Sequence, residues 1–248
     1  MQKITLKLGE NNWQVYLRDE ADQSVFNEIF KLKEYRAAEE IIKTAKHAVV
    51  DVGAHIGFFS MYCRSLNKQV KIYAVEPEPD NLEALKQHLD ENKILGVKVI
   101  AGALAGQTEK RQLQLSADSH NHRLAIGEAS SPSGSLFPDF IDTDEDGVGK
   151  TVVVQAFSFA DFCKKNKINK ISLLKMDIEG GEYEVFEGMS ADDFAVVNCI
   201  ILEYHKEGGE HKDLVEKLRI NGFGVQVFPS HFDKTMGFVW ANNKRSKF

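Results

Sequence analysis

No stretch of this chain approaches the roughly 18 unbroken apolar residues of a membrane span, which excludes transmembrane classes. Cysteine is scarce as well. Cys63, Cys163 and Cys199 lie far apart and form no C-x-x-C pair, which argues against a disulfide framework or zinc knuckle and for buried free thiols. Positive charge is not in excess: 31 basic residues face 37 acidic ones for a net charge of −6, so a general nucleic-acid-binding surface is not expected. In Met1-Gln2-Lys3-Ile4-Thr5-Leu6-Lys7 charge interrupts every short apolar run, the apolar core of a secretory signal is missing, and the expected location is cytoplasmic. What remains is a 248-residue chain of ordinary apolar content (43%), enough for one large α/β domain or two small ones.

Alternating apolar residues at Ile4, Leu6 and Leu8, and again at Trp13, Val15 and Leu17, flank Gly9-Glu10-Asn11-Asn12 and predict a β-hairpin. Val25, Phe26, Ile29, Phe30 and Leu32 then recur at helical steps, with Asp22 or Ser24 as N-cap, and Ala38, Ile41, Ile42 and Ala45 continue the spacing. The expected organisation is a hairpin and helical cap over residues 1–45, packed on a domain over 46–248. Within that domain, apolar runs at Ala48–Val52, Val70–Val75, Val97–Ala101, Ile171–Met176 and Val197–Leu202 alternate with turns and helical stretches. This predicts an α/β fold with a mostly parallel sheet and helices on both faces. Gly222 suits a helix C-terminus, and Gly224–Phe228 and Met236–Trp240 follow without an intervening helix, as an antiparallel pair at a sheet edge. Leu115–Lys150 breaks the rhythm. Its Ser130-Ser131-Pro132-Ser133-Gly134-Ser135 and Asp142-Thr143-Asp144-Glu145-Asp146 runs have little to bury, so an insertion over about 116–150 is expected as a flexible lid.

The most informative segment runs from Val49 through Asp51, Gly53, Ala54, His55 and Gly57 to Ser60: a strand, a glycine turn and a helix start, where backbone can approach a ligand. A dinucleotide fingerprint would need glycine at 51, 53 and 56, but Asp51 and Ile56 stand at the outer positions, which disfavours a nicotinamide cofactor. A carboxylate at 51 repels a pyrophosphate and attracts a sulfonium or ammonium, which points to S-adenosylmethionine. Glu76-Pro77 closes the next strand, about 25 residues on, where a carboxylate accepts hydrogen bonds from both ribose hydroxyls. The candidate cofactor set is therefore Asp51, Gly53, Ala54, His55, Gly57, Glu76 and Pro77, with Phe58 and Phe59 read as helix core.

Asp51–Gly57, Glu76-Pro77 and Lys175-Met176-Asp177-Ile178-Glu179-Gly180-Gly181-Glu182 resemble the motifs of the FkbM family of class I S-adenosylmethionine-dependent methyltransferases. The likeness extends to Asn27–Tyr35 and Leu202-Glu203-Tyr204-His205 and covers roughly residues 20 to 210 with gaps. It implies a class I methyltransferase (Rossmann-like) seven-stranded sheet with an antiparallel C-terminal edge strand. It further implies methyl transfer usually to a hydroxyl, on substrates that are often sugars or natural products. His55 where asparagine is common, Gly181 where alanine is common, and the insertion are departures from the pattern.

Asp177, Glu179, Glu203 and His205 fall at the ends of the fourth and fifth runs, where an open parallel sheet forms its ligand crevice. Methyl transfer to a hydroxyl needs a proton acceptor, and an imidazole titrating near roughly pH 6.5 makes His205 the preferred base, oriented by Glu203 or Asp177. Asp177 is the second candidate base. The same oxygen-rich cluster offers the alternative of a divalent cation (Mg²⁺, Mn²⁺ or Ca²⁺), although no metal ligand is assigned. Ser119-His120-Asn121-His122-Arg123 supplies polar groups able to reach an acceptor, whereas Glu182 and Glu184 fit a helix N-terminus for dipole reasons. The leading expectation is an O-methyltransferase acting on a hydroxylated small-molecule or glycan acceptor. Its rivals are an RNA or protein methyltransferase and a non-catalytic binding module on the cofactor fold. The hairpin also offers an edge strand to a partner.

Overall fold

The computed structural model describes residues 1–116, 122–124, 140–141, 151–205, 208–230 and 236–245. Strands β1 (Gln2–Leu8) and β2 (Asn11–Leu17) form the expected antiparallel hairpin. Helix α1 (Glu20–Phe26), a π-helical turn over Asn27–Leu32, a 3₁₀ segment over Glu34–Ala38 and α2 (Glu39–Thr44) follow. The N-cap of α1 is Asp19 rather than Asp22 or Ser24. Asp19 has the extended backbone (φ −149°, ψ −172°) that lets its carboxylate accept from the Asp22 amide, whereas the Asp22 carboxylate is engaged by Arg18 and His55.

The central sheet then builds up as β3 (Ala48–Val52), α3 (Phe58–Leu66), β4 (Ile72–Glu76), α4 (Pro79–Glu91) and β5 (Val97–Ala101). A second sheet is inserted next: β6 (Ala103–Leu104), β7 (Glu109–Gln114), β8 (Arg123–Leu124), β9 (Phe140–Ile141) and β10 (Thr151–Phe157). Sequence reasoning missed this sheet: β7 reads Glu-Lys-Arg-Gln-Leu-Gln and buries Arg111 beside Leu113, which hides it, whereas the Thr-Val-Val-Val-Gln-Ala-Phe run of β10 does carry an alternating strand pattern. The chain returns to the main sheet with α5 (Phe159–Asn166), β11 (Ile171–Met176), α6 (Glu182–Gly188), α7 (Ala191–Ala195), β12 (Val197–His205), α8 (His211–Ile220), β13 (Phe223–Pro229) and β14 (Met236–Asn243). Most of the expected insertion, including Ser119–Asn121 and both polar runs, lies outside the described residues. From within it, β8 pairs with β7 and β9 with β10.

The seven main strands are ordered β13-β14-β12-β11-β3-β4-β5. β5, β4, β3, β11 and β12 run parallel, and β14 is antiparallel to both its neighbours. The antiparallel pair does occupy the edge, but the edge strand itself is β13 and the C-terminal strand sits one place inside. β13 leaves a gap beside β12 that the returning hairpin strand fills, so β14 is hydrogen-bonded on both sides. Side chains alternate across this sheet. Val50, Val52, Leu174, Met176, Ile200 and Leu202 face Phe162, Phe186, Phe194 and Leu218, while Val49, Ile72, Leu173, Cys199 and Ile201 face the other way. That second face is covered by α3, α4 and the N-terminal segment, whose Leu6, Trp13, Val15, Ile29 and Ile42 share one buried cluster with it. The cap therefore closes a face of the sheet rather than burying a core of its own.

The hairpin docks on α4 through polar side chains. Asn92 Oδ1 accepts from the Gln14 amide (2.6 Å), and His88 Nε2 accepts from the Tyr16 amide (2.9 Å). The three cysteines are buried and unbridged. Among the described residues no helix is long and apolar enough to cross a membrane.

Candidate active site

The carboxyl ends of β3, β4, β11 and β12 open into a cavity of about 1140 Å³. Its floor is the turn after β3. Gly53 (φ 73°) and Gly57 (φ 90°) take left-handed backbone, and the Gly53 and Ala54 amides donate to the Val75 carbonyl (3.1 and 3.0 Å). Glycine at 53 is required first by a neighbouring strand end, since an added Cβ would run into the Asp177 carbonyl; at 57 it would sit 3.0 Å from Leu85 Cγ. His55 also has positive φ (49°), without being glycine.

Alternation along β3 decides what Asp51 does. It points with Val49 toward α3, fully buried, where its Oδ2 accepts from Ser60 Oγ (2.8 Å), and it does not line the cavity. Burial raises its pKa while Lys175 opposes that rise. Lys175, opposite Asp51 in the β3–β11 register, places Nζ 2.7 Å from the Gly53 carbonyl, 3.5 Å from Asp51 Oδ1 and 3.7 Å from Asp177 Oδ2. Burial works against its charge, but Asp51 and Asp177 outweigh burial and its pKa is raised. This buried cation ties the glycine turn to the carboxyl end of β11, and sequence reasoning gave it no role.

Glu76 ends β4 inside the cavity, 4% exposed. Its Oε2 accepts from the His55 amide (2.8 Å) and its Oε1 from the Glu78 amide (3.0 Å); burial pushes its pKa up to about 7. Ala54, His55 and Pro77 line the cavity beside it. The carboxylate keeps lone pairs for a diol while two amides fix its orientation. A left-handed glycine turn, a preset carboxylate and a volume of this size fit the sugar and methionine ends of S-adenosylmethionine.

On the opposite wall stand all four residues expected for chemistry. Asp177, Glu203 and His205 each place a side-chain ligand atom within 4.8 Å of the others, and His205 Nε2 lies 3.6 Å from Glu179 Oε2. Glu179 thus joins Glu203 and Asp177 as a carboxylate near the imidazole. It is held at φ 55° in a loop closed by Glu182, whose carboxylate accepts from the Ile178 amide (2.7 Å) and the Gly180 amide (3.0 Å). Glu182 is fully buried, which raises its pKa to about 8. Glu184 instead leaves the loop and pairs with Arg111 of the second sheet (2.8 Å). Burial, then Asp177 and Glu28, hold Glu203 well above the usual carboxylate range.

Three residues that sequence reasoning did not assign come from the cap: Glu28, Glu34 and Tyr35 line the cavity. The only sequence signal for them is the motif likeness over Asn27–Tyr35, because nothing in their spacing announces a site. Of the Ser119–Arg123 motif, His122 borders the cavity. Phe58 and Phe59 are helix core as expected (1% and 2% exposed), and both also touch the cavity wall.

The methyltransferase FkbM domain family matches residues 51–225 of this chain. The 31-O-demethyl-FK506 methyltransferase FkbM of Streptomyces tacrolimicus is 26% identical over 190 residues, spanning 71% of this chain and 72% of that protein. The hexuronic acid methyltransferase AglP of Haloferax volcanii is 24% identical over 204 residues, spanning 79% and 73%. Among solved structures, the METTL16 methyltransferase domain shares the fold with a TM-score of 0.52 at 13% identity, covering 97% of this chain and 86% of that one.

Proposed function

This chain belongs to the FkbM methyltransferase family, and from that premise we propose that it methylates a hydroxyl of a sugar or natural-product small molecule, with His205 taking the proton. It is an S-adenosylmethionine-dependent methyltransferase by family, so the cofactor supplies an electrophilic methyl group carried on a sulfonium. The observation that carries the finer reading is the gathering of Asp177, Glu203 and His205 within 4.8 Å at one wall of the cavity, facing the glycine turn and Glu76. Two relatives, one named for a 31-O-demethyl substrate and one for hexuronic acid, support an oxygen acceptor of this class.

In this reading Glu76 binds the ribose hydroxyls and the backbone from Gly53 to Gly57 cradles the cofactor. Asp51 acts from beneath the turn, through Lys175. On the acceptor side, Asp177 and Glu203 orient the attacking hydroxyl. Its oxygen gains the methyl, and its proton passes to His205 Nε2, where Glu179 at 3.6 Å stabilises the imidazolium. His205→Ala lowers kcat by roughly 10²–10⁴-fold with cofactor affinity retained. The assay is product formation against a panel of hydroxylated acceptors, with calorimetry for the cofactor. Full activity in His205→Ala removes it as the base.

A second reading is favoured by the same three ligand atoms: a divalent cation held by Asp177, Glu203 and His205 would lower the acceptor's pKa in place of the imidazole. It requires that chelation abolish turnover and added Mg²⁺ or Mn²⁺ restore it. Chelator-insensitive turnover sinks it.

A further inference from the structure

The family match begins at residue 51, yet a closed circuit of polar contacts, through four side chains and the ring and amide of His55, runs from the preceding segment into the turn after β3. Arg18, just after β2, forks onto the fully buried Asp22: its Nε donates to Oδ2 (2.9 Å), its Nη2 to Oδ1 (2.9 Å), and its backbone amide to Oδ2 (2.7 Å). Asp22 Oδ1 also lies 3.2 Å from His55 Nε2. The His55 amide donates to Glu76 Oε2 (2.8 Å), Asn81 Nδ2 to Glu76 Oε1 (3.4 Å), and Arg18 Nη2 to Asn81 Oδ1 (2.6 Å), which returns to the start.

We propose that Asp22, gripped by Arg18, is a positioning residue of the cofactor site, holding His55 and Glu76 in their binding geometry from outside the matched segment 51–225. His55 sits at φ 49°, a backbone conformation that a non-glycine residue keeps only when its surroundings insist on it. The Asp22 carboxylate supplies that insistence on the ring while Glu76 supplies it on the amide. Burial opposes charge on Asp22, but His55 and Arg18 outweigh burial and hold its pKa far below the carboxylate range, so a fixed negative charge stands behind the turn. The inference rests on reading the cavity as the S-adenosylmethionine site.

Calorimetry with S-adenosylhomocysteine on the whole chain tests it, using Asp22→Asn, His55→Asn and the double variant. Asparagine at 55 tolerates positive φ, so the turn is retained. Asp22→Asn is expected to weaken binding by 10- to 100-fold and to raise KM for S-adenosylmethionine more than it lowers kcat. The double variant is expected to lose less than the product of the single losses. Amides 53–57 are expected to exchange faster in Asp22→Asn. If that variant does not fold, Arg18→Lys, which keeps the charge and loses the fork, is expected to give the same selective loss. Wild-type affinity in Asp22→Asn, or strictly multiplicative losses in the cycle, overturn the inference while leaving the cofactor reading standing. A wild-type protein that does not bind the nucleoside takes both down.

Discussion

Glu76 offers the sharpest test of how the cofactor is held. Its carboxyl is almost fully buried and titrates near 7, because burial disfavours the charge that two backbone amides then partly restore. In the proposed cofactor reading the ribose hydroxyls donate to this carboxylate and are best received by its ionised form, so Glu76 is expected to lose its proton on binding. With a pKa of about 7 the competent fraction is about 0.1 at pH 6, 0.5 at pH 7 and 0.9 at pH 8. The dissociation constant for S-adenosylhomocysteine is therefore expected to fall about fivefold from pH 6 to 7 and about twofold more by pH 8. Glu76→Gln removes that slope, and Glu76→Ala, which also strands the His55 and Glu78 amides, weakens binding by about 1–3 kcal/mol, or roughly 5- to 150-fold. Calorimetry across pH 6–8 in buffers of different ionisation heat counts the released proton directly. A flat wild-type profile, or a Glu76→Gln profile parallel to it, would refute the reasoning.

Two further outcomes follow from groups buried beneath and beside the cavity. Lys175→Met leaves Asp51 without its cation in a dry site and is expected to destabilise the fold by about 3–5 kcal/mol in urea titrations, with Asp51→Asn restoring part of the loss; full stability in the single variant contradicts the role assigned to Lys175. Glu182, raised to about 8, binds a proton more tightly folded than unfolded, so its stabilising contribution is complete below about pH 4 and is lost as pH rises through 8; the melting temperature should drop between pH 5 and 9, and Glu182→Gln should flatten that drop.

The parallel core could be read directly from the sequence because its strands are short, predominantly apolar runs bounded by turns, and Ala48–Val52, Val97–Ala101 and Ile171–Met176 match the observed strands end for end. Strand β7 of the second sheet could not, since it buries an arginine whose charge is answered by Glu184, a residue 73 positions away, while its partner β10 carries a strand pattern that went unread. The same distinction runs through the site. Glu76, Asp177, Glu179, Glu203 and His205 were legible as cavity-lining residues because strand termini collect at the crevice. Asp51 was legible as a residue but not in its direction, which the strand's alternation fixes toward Ser60. Arg18, Asp22, Glu28 and Tyr35 reach the cavity or its turn only through packing of the cap across a sheet face, and no local spacing encodes that.

The docking of β2 on α4 has a consequence for how this chain stays out of trouble while being made. A two-stranded ribbon presents amides along its outer side that invite a third strand, including one from another molecule. Here the Gln14 and Tyr16 amides are taken by Asn92 and His88 instead, which removes two adjacent pairing positions. Those acceptors are synthesised more than 70 residues after the hairpin, so at about 5–20 residues per second the ribbon waits roughly 4–15 s for its cover. During that interval the Gln14 and Tyr16 amides on the outer side of β2 are the positions at which strand exchange would begin, so the arrival of α4 ends the exposure as well as completing the fold.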